Sequence, residues 1–436
     1  MTATKPAIPA PVPSAVRSAL PGAGYALGVL TFINVINYLD RYLVAGILPR
    51  IEDSLHIDHA QGGLLQSIFI VVYMLVAPLG GYVGDRYPRR WVLSLSILIW
   101  SFATFGSGLA GTFAVLLLAR ALVGVGEAGY GTVSPGLIAD FFPLSQRTRA
   151  LSVFYVAIPV GSALGFALGG WIGNTWSWHA AFFVGGLPGL LAAFLALRMQ
   201  EPARGATEEG GAASQAKMPF LEGLRGLRSN SFYWVSVAGL TLMTFSIGGL
   251  AVFMPTFLEK ERGVAPAQAA IVFGGLLCVS GLVGTLVGGV LGDRAERKSS
   301  TGGLWLSGWG MLLAAPFMVW TAYSGSVPII YAASFVAMFL VFLNNGPLNA
   351  AIVSAVPPLF RSFAVGLSVL AYHALGDAIS PPIIGWIGDR LSLGHAIALN
   401  AIPVFLGGLL LVVGARVLHG PPGAQGQRLN DRRAPC

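Results

Sequence analysis

Twelve apolar runs of 20–29 residues, at 24–48, 61–84, 91–110, 112–140, 149–172, 178–198, 231–258, 267–292, 302–322, 327–354, 362–389 and 393–415, are separated by short polar breaks. Crossing roughly 30 Å of hydrocarbon as a helix takes about 20 apolar residues, so each run is long enough to span a bilayer. The runs are continuous and not alternating, which excludes a membrane β-barrel. With 55% hydrophobic and 10% charged residues, and a mean hydropathy of +0.73, a soluble globule is excluded as well. The expectation is an all-α integral membrane fold with twelve transmembrane helices.

Lys and Arg are retained on the cytoplasmic side of such helices. If the N-terminus lies inside, the even-side segments hold 20 of the 26 basic residues and the odd-side loops hold 4, while Arg41 and Arg120 fall within spans. Both termini are therefore expected in the cytoplasm. The net charge of +8 then reads as membrane-surface charge, with no nucleic-acid partner. Residues 1–22 contain five prolines and no apolar core, so they read as a disordered tail and not a cleaved leader. Cys278 sits inside a span and Cys436 in the tail, so there is no disulfide framework. Only 4 of the basic residues are Lys, which with heavy Ala, Gly and Leu use suggests a GC-rich bacterium and an inner membrane.

The segment Gly81-Tyr82-Val83-Gly84-Asp85-Arg86-Tyr87-Pro88-Arg89-Arg90 recurs 208 positions later as Gly289-Val290-Leu291-Gly292-Asp293-Arg294-Ala295-Glu296-Arg297-Lys298. The same shift overlays spans 2, 4 and 5 on spans 8, 10 and 11. The chain therefore divides into a tail (1–22), a six-helix bundle (23–198), a linker (199–230), a second, pseudo-symmetric six-helix bundle (231–418) and a tail (419–436). The linker is polar and Gly-rich at 205–211, with an end (Phe220, Leu224, Leu227 on one stripe) that reads either as an interfacial helix or as a loop.

The repeated turn resembles the signature loop of the major facilitator superfamily, with Pro88 where many members have Gly. Arg120 with Gly124 and Gly126 in span 4, and the Arg147-Thr148-Arg149 loop, agree with it. Asn37-Tyr38-Leu39-Asp40-Arg41-Tyr42, Gly126-Glu127-Ala128 and above all His373-Ala374-Leu375-Gly376-Asp377-Ala378-Ile379-Ser380-Pro381 are similar to the spinster family of lysolipid and sphingolipid-phosphate transporters. The resemblance implies a transporter and not an enzyme, working by alternating access about a midplane site. It implies a small amphipathic or anionic substrate, contact with membrane lipids, a monomer, and no cofactor beyond protons as coupling ion. Because anion:proton symporters share a similar Asn-Tyr-Leu-Asp-Arg, small organic anions such as sugar acids are the alternative substrate.

Charged side chains at mid-bilayer cost at least about 2.5–3.5 kcal/mol each, so those that remain need partners or a function. Asp40 and Glu127 fall at similar depth on antiparallel spans, and Arg120 precedes Glu127 by seven residues, close to two turns. Asp40, Arg41, Arg120 and Glu127 thus form a cluster expected to face the central cavity that spans 1 and 4 line in the superfamily. It reads as a proton switch in which Arg41 or Arg120 holds an anion while Asp40 and Glu127 alternate between pairing and carrying a proton; the alternative is a static ion-pair quartet. The second half has Gly248, Gly249, Pro328 and Phe335 at the shifted positions, so the scaffold does not itself require these charges.

His373 and Asp377, at i and i+4, form a second candidate proton site or a brace for the Ser380-Pro381-Pro382 break. Tyr73, Tyr130 and Tyr155, with Phe69 and Phe154, are candidate substrate-binding aromatics; Asn344, Asn345 and Asn349 form a polar face near Pro347 that is a candidate cavity lining, with Asn344 and Asn345 as candidate substrate-binding residues. Asp85, Arg86, Arg89, Arg90, Asp293, Arg294, Arg297 and Lys298 are candidates for a cytoplasmic latch in the outward-open state, or simply topogenic charge. Gly124-Val125-Gly126-Glu127-Ala128-Gly129 matches a dinucleotide fingerprint by letter, yet it lies inside an apolar span and reads as close helix packing. No metal-ligand set is present.

Overall fold

A computed structural model describes residues 18–203, 206–207, 227–356 and 361–418, so most of the linker, with its candidate interfacial helix, and most of both tails lie outside the described residues. The first bundle comprises α1 (Ala23–Leu55), α2 (His59–Arg86), α3 (Arg89–Ser107), α4 (Phe113–Phe141), α5 (Leu144–Thr175) and α6 (Trp178–Leu197). The second begins with α7 (Ser231–Lys260), α8 (Pro266–Lys298) and α9 (Gly302–Tyr323). Its last three spans are broken: α10 (Val327–Phe342) with α11 (Asn345–Ser354), α12 (Arg361–Tyr372) with α13 (Ser380–Arg390), and α14 (Leu393–Leu399) with α15 (Ala401–Val417). Twelve spans result. Among the described residues nine are long and apolar enough to cross a membrane by length and composition alone, and α1, α3 and the interrupted eleventh complete the set.

Polar residues in the breaks set the helix starts. Asp58 caps α2 by accepting from the Gln61 amide, 2.7 Å away, and Gln61 returns the bond, a capping box. Thr112, Ser177 and Asn230 cap α4, α6 and α7 by accepting the Val115, Ala180 and Tyr233 amides. Within the membrane, small residues bring helices together. Gly161, Gly165 and Gly169 present one edge of α5 to the backbone of Val35, Leu39 and Leu43 on α1. Gly124 faces the backbone of α2 at Phe69, and Gly126 that of α3 at Ser96 and Trp100, so the fingerprint-like string is indeed a packing surface.

The bundles meet at the end opposite the repeated basic turns. There α5 lies along α8 and α2 along α13, with Gly63 against Pro381 and Pro382 and Gly385 against His59. Charge seals the same end. Arg50 donates to Glu259 at 2.6 Å, Lys260 bridges Glu52 and Asp53 at 3.1 Å each, and Glu52 also meets His59 at 2.7 Å. Asp389 accepts the His59 and Ala60 amides at 2.9 Å each, placing a carboxylate of the second bundle on the N-terminus of α2, where the helix dipole favours it. Among the described residues these are the hydrogen bonds and ion pairs that cross between bundles, and none lies at the basic end.

Partly exposed ion pairs are worth roughly 1 kcal/mol, about five-fold in a population, so the seal is strong in sum and breakable in parts. Reversing Lys260 (K260E) should increase the population open at this end by about five-fold. Distances between spin labels at positions 56 and 391 would lengthen correspondingly; an unchanged distribution would count against the ion pairs as the closing element.

Candidate functional site

On the basic side of the seal lies a cavity of about 380 Å³ between the bundles. Its first wall is a single stripe of α1, Asn34, Asn37, Tyr38 and Arg41 at i, i+3, i+4 and i+7, facing the matching stripe Gln66, Phe69, Ile70 and Tyr73 of α2. Tyr130 and Pro135 of α4 and Phe154 and Tyr155 of α5 extend this wall. The second bundle contributes Tyr372, His373 and Asp377. A smaller recess of about 90 Å³ runs from Arg41 and Asp377 toward the seal, past Thr244 and Gly248 of α7.

Arg41 is the cation of this cavity. Its guanidinium carbon is 4.9 Å from the ring centroids of Tyr38 and Phe69 and 5.3 Å from that of Tyr73, an aromatic enclosure that holds the planar group by cation–π contact. Behind it, Arg41 Nε donates to Glu127 Oε2 at 2.7 Å, and Glu127 is wholly buried. Asp40 and Arg120 form a second, looser pair, with Nη1 3.7 Å from Oδ2 and both side chains enclosed. The Phe69 ring, 5.4 Å from the Arg120 guanidinium carbon, lies close to both arginines.

The quartet assembles as expected, but only Arg41 reaches the cavity. Neighbouring helical residues point about 100° apart, so with Arg41 toward the cavity Asp40 is turned back into the bundle, where Thr104 of α3 and Arg120 of α4 meet it. Arg120, a candidate anion ligand from its place in span 4, is thereby kept from the cavity, as are Asp40 and Glu127. Three Arg120 nitrogens, Asp40 Oδ1, Glu127 Oε1 and Asn37 Nδ2 have no hydrogen-bond partner here although buried, so the polar core between α1, α3 and α4 is only partly satisfied.

Tyr73, Tyr130 and Tyr155 do line the cavity. Tyr130 is nearly buried, with its hydroxyl donated to the Leu30 carbonyl at 2.8 Å and its ring against Trp100, so it offers the cavity an edge and no free hydroxyl. Tyr155 is 47% exposed. His373 Nδ1 lies 3.0 Å from both Asp377 oxygens, and the five residues from one to the other form a π-helical turn, a local widening that recurs at functional sites.

The asparagines of span 10 turn elsewhere. Asn344 is buried at the break between α10 and α11, where its amide donates to the Leu340 and Val341 carbonyls and its oxygen abuts Gly310 of α9. It satisfies the broken helix, and neither Asn345 nor Asn349, bonded to each other at 3.2 Å, lines the cavity. At the basic end Arg86 stacks on Tyr82, 3.7 Å from its centroid, while Arg89 pairs with Asp140 of α4 and gives its amide to Glu201 at 2.6 Å. The Asp85 side chain lies outside the described residues. Arg90, Asp293, Arg294, Arg297 and Lys298 are exposed, so the described part of the candidate latch is not engaged across the bundles in this state.

Asn34, Asn37, Tyr38, Tyr42 and Gln66 were not singled out as ligands by sequence, though the polar recurrence at 34, 37, 38 and 41 carries the signal.

Residues 30–381 match the family model described as Major Facilitator Superfamily. Over 391 residues the chain is 37% identical to human protein spinster homolog 1, a match covering 84% of this chain and 73% of that protein. Over 401 residues it is 34% identical to Drosophila melanogaster protein spinster, covering 88% and 66%. A crystal structure of a bacterial homologue of the human lysosomal transporter spinster, inward-facing and unoccupied, matches with a TM-score of 0.80 at 24% identity, over 95% of this chain and 99% of that one. A nucleoside transporter shares the fold at a TM-score of 0.71 and 13% identity. Two bundles around a cavity whose signature residues lie on α1, α4 and α12–α13, together with these matches, place the chain in the major facilitator superfamily and, within it, in the spinster family of transporters.

Proposed function

We propose that the protein is a proton-coupled secondary transporter that moves an amphipathic anionic lipid, of the lysophospholipid or sphingoid-phosphate kind, by alternating access. One observation carries the reading: Arg41 lines the cavity and at the same time neutralises the buried Glu127 at 2.7 Å. An anionic headgroup reaching Arg41 competes with Glu127 for one guanidinium. A buried carboxylate that loses its cation favours the neutral acid, so substrate entry draws a proton with it. Loss of substrate returns Arg41 to Glu127 and releases the proton. Asp40 repeats this logic one layer deeper with Arg120, and the His373–Asp377 pair is a second titratable group on the opposite wall. Aromatic side chains around the charged centre, Phe69, Tyr73, Phe154 and Tyr155, suit an apolar tail beside a charged head.

In this scheme the state described here takes substrate from the basic side, which the positive-inside rule makes the cytoplasm of a bacterial inner membrane with both termini inside. Breaking the ion seal opens the other side, and the repeated turns, with Asp85 and Asp293, then latch the basic end.

In proteoliposomes at two pH values, substrate-driven proton uptake should occur with wild type and be lost in Glu127→Gln; equal flux in both would remove Glu127 from the mechanism. Charge-assisted bonds are worth about 1.5–3 kcal/mol, so Arg41→Ala should weaken lipid binding about ten- to hundred-fold. Native mass spectrometry of the purified protein should recover one lysophospholipid class from the wild type and lose it from Arg41→Ala. A symporter of small organic anions would retain no lysolipid, and added lysolipid would leave its thermal stability unmoved.

A further inference from the structure

Many helical Ser and Thr hydroxyls in this protein turn inward on their own helix. Ser107, Thr132, Ser134, Ser162, Thr175 and Thr241 each donate to the carbonyl four residues back, the usual local solution in an apolar medium. Thr104 does not. Its hydroxyl, buried on α3, leaves the Trp100 carbonyl and donates to Asp40 Oδ2 on α1 at 2.7 Å. That bond is a full ångström shorter than the Arg120 contact with the same oxygen, at 3.7 Å, and Asp40 Oδ1 has no partner. Thr104 is thus the hydrogen-bond donor to Asp40, beside the longer ion pair with Arg120.

We propose that Thr104 is a positioning residue that sets the proton affinity of Asp40. The assignment rests on the reading of Asp40 as a proton-carrying acid. No residue of α3 lines the cavity, so Thr104 acts only through Asp40. The charged groups that act on Asp40 are Arg120 and Glu127 from α4 and Arg41 from its own helix. Against that background the hydroxyl has two uses. It donates to the carboxylate, and when Asp40 takes up a proton it can accept the new O–H, since a hydroxyl both gives and receives. Donation to a charged oxygen is the stronger bond, so the net effect favours ionised Asp40. The loose Arg120 pair can then part while Asp40 keeps its orientation. Val has the shape of Thr and neither bond; Ser has both.

The test is the protonated-carboxyl band in pH-difference infrared spectra of the purified, reconstituted full chain, assigned to Asp40 by its loss in Asp40→Asn. Thr104→Val should move the titration midpoint of that band upward by about one pH unit, and Thr104→Ser should restore the wild-type midpoint. Thr104→Ala gives the same upward shift and serves if the Val variant unfolds. An unshifted midpoint in both Val and Ala, an equal shift in Ser, or no Asp40 band between about pH 4 and 10 overturns the proposal. Because the readout needs no substrate, it stands apart from the transport reading: wild type that moves lipid without protons would remove the coupling scheme, while the band alone decides Thr104.

Discussion

The cost of holding charge inside a bilayer governs this structure. Asp40, Arg120 and Glu127 are removed from water altogether, and each has an opposite charge on a neighbouring helix. The two pairs are unequal in a useful way. Arg41–Glu127 is short and has one member in the cavity; Asp40–Arg120 is long and enclosed. In the proposed function a ligand therefore meets the tight pair first, through Arg41, and the loose pair is reached only by rearrangement within the first bundle.

The second bundle shows why the charges are one-sided. The position that the 208-residue repeat sets against Asp40 is Gly248. It packs against Asp377 and Ser380 of the eleventh span so closely that even a methyl group would have to displace them. There the π turn and the following Pro381-Pro382 break occupy the space that a buried acid on α7 would need, and the acid sits on the turn instead. Duplication supplied one scaffold twice, and the two halves diverged where a charge on one helix excludes a charge on its neighbour.

The spans, their pairing into halves and the cluster on spans 1 and 4 were legible in sequence because each rests on composition or spacing, which a chain displays directly. The facing of single residues was not. Asp40 and Arg41 are adjacent letters separated by 100° of rotation, and only the packing of α1 against α3 and α4 decides which one sees the cavity. Asn344 looked like a cavity ligand because its polarity had no visible use; the break in span 10 exposes carbonyls that consume it. The sealing charges were visible as loop residues, but Arg50 and Glu259 are 209 positions apart and the lattice they build belongs to the pairing of the bundles.

That lattice and the repeated turns lie at opposite ends of the same two bundles. At the sealed end the contacts are of two kinds: glycine-to-backbone approach at Gly63 and Gly385, which tolerates little sliding, and ion pairs at 2.6–3.1 Å, which fall away steeply once water enters. Under the proposed alternating access such a seal favours all-or-none opening over gradual leakage. Arg41 and Asp377 stand where the cavity narrows toward it, one from each bundle. In the proposed transport cycle a charged headgroup between them would touch both bundles, so its interaction with the two walls would change as the bundles rock; differential contact of that kind is what allows a ligand to bias a conformational equilibrium.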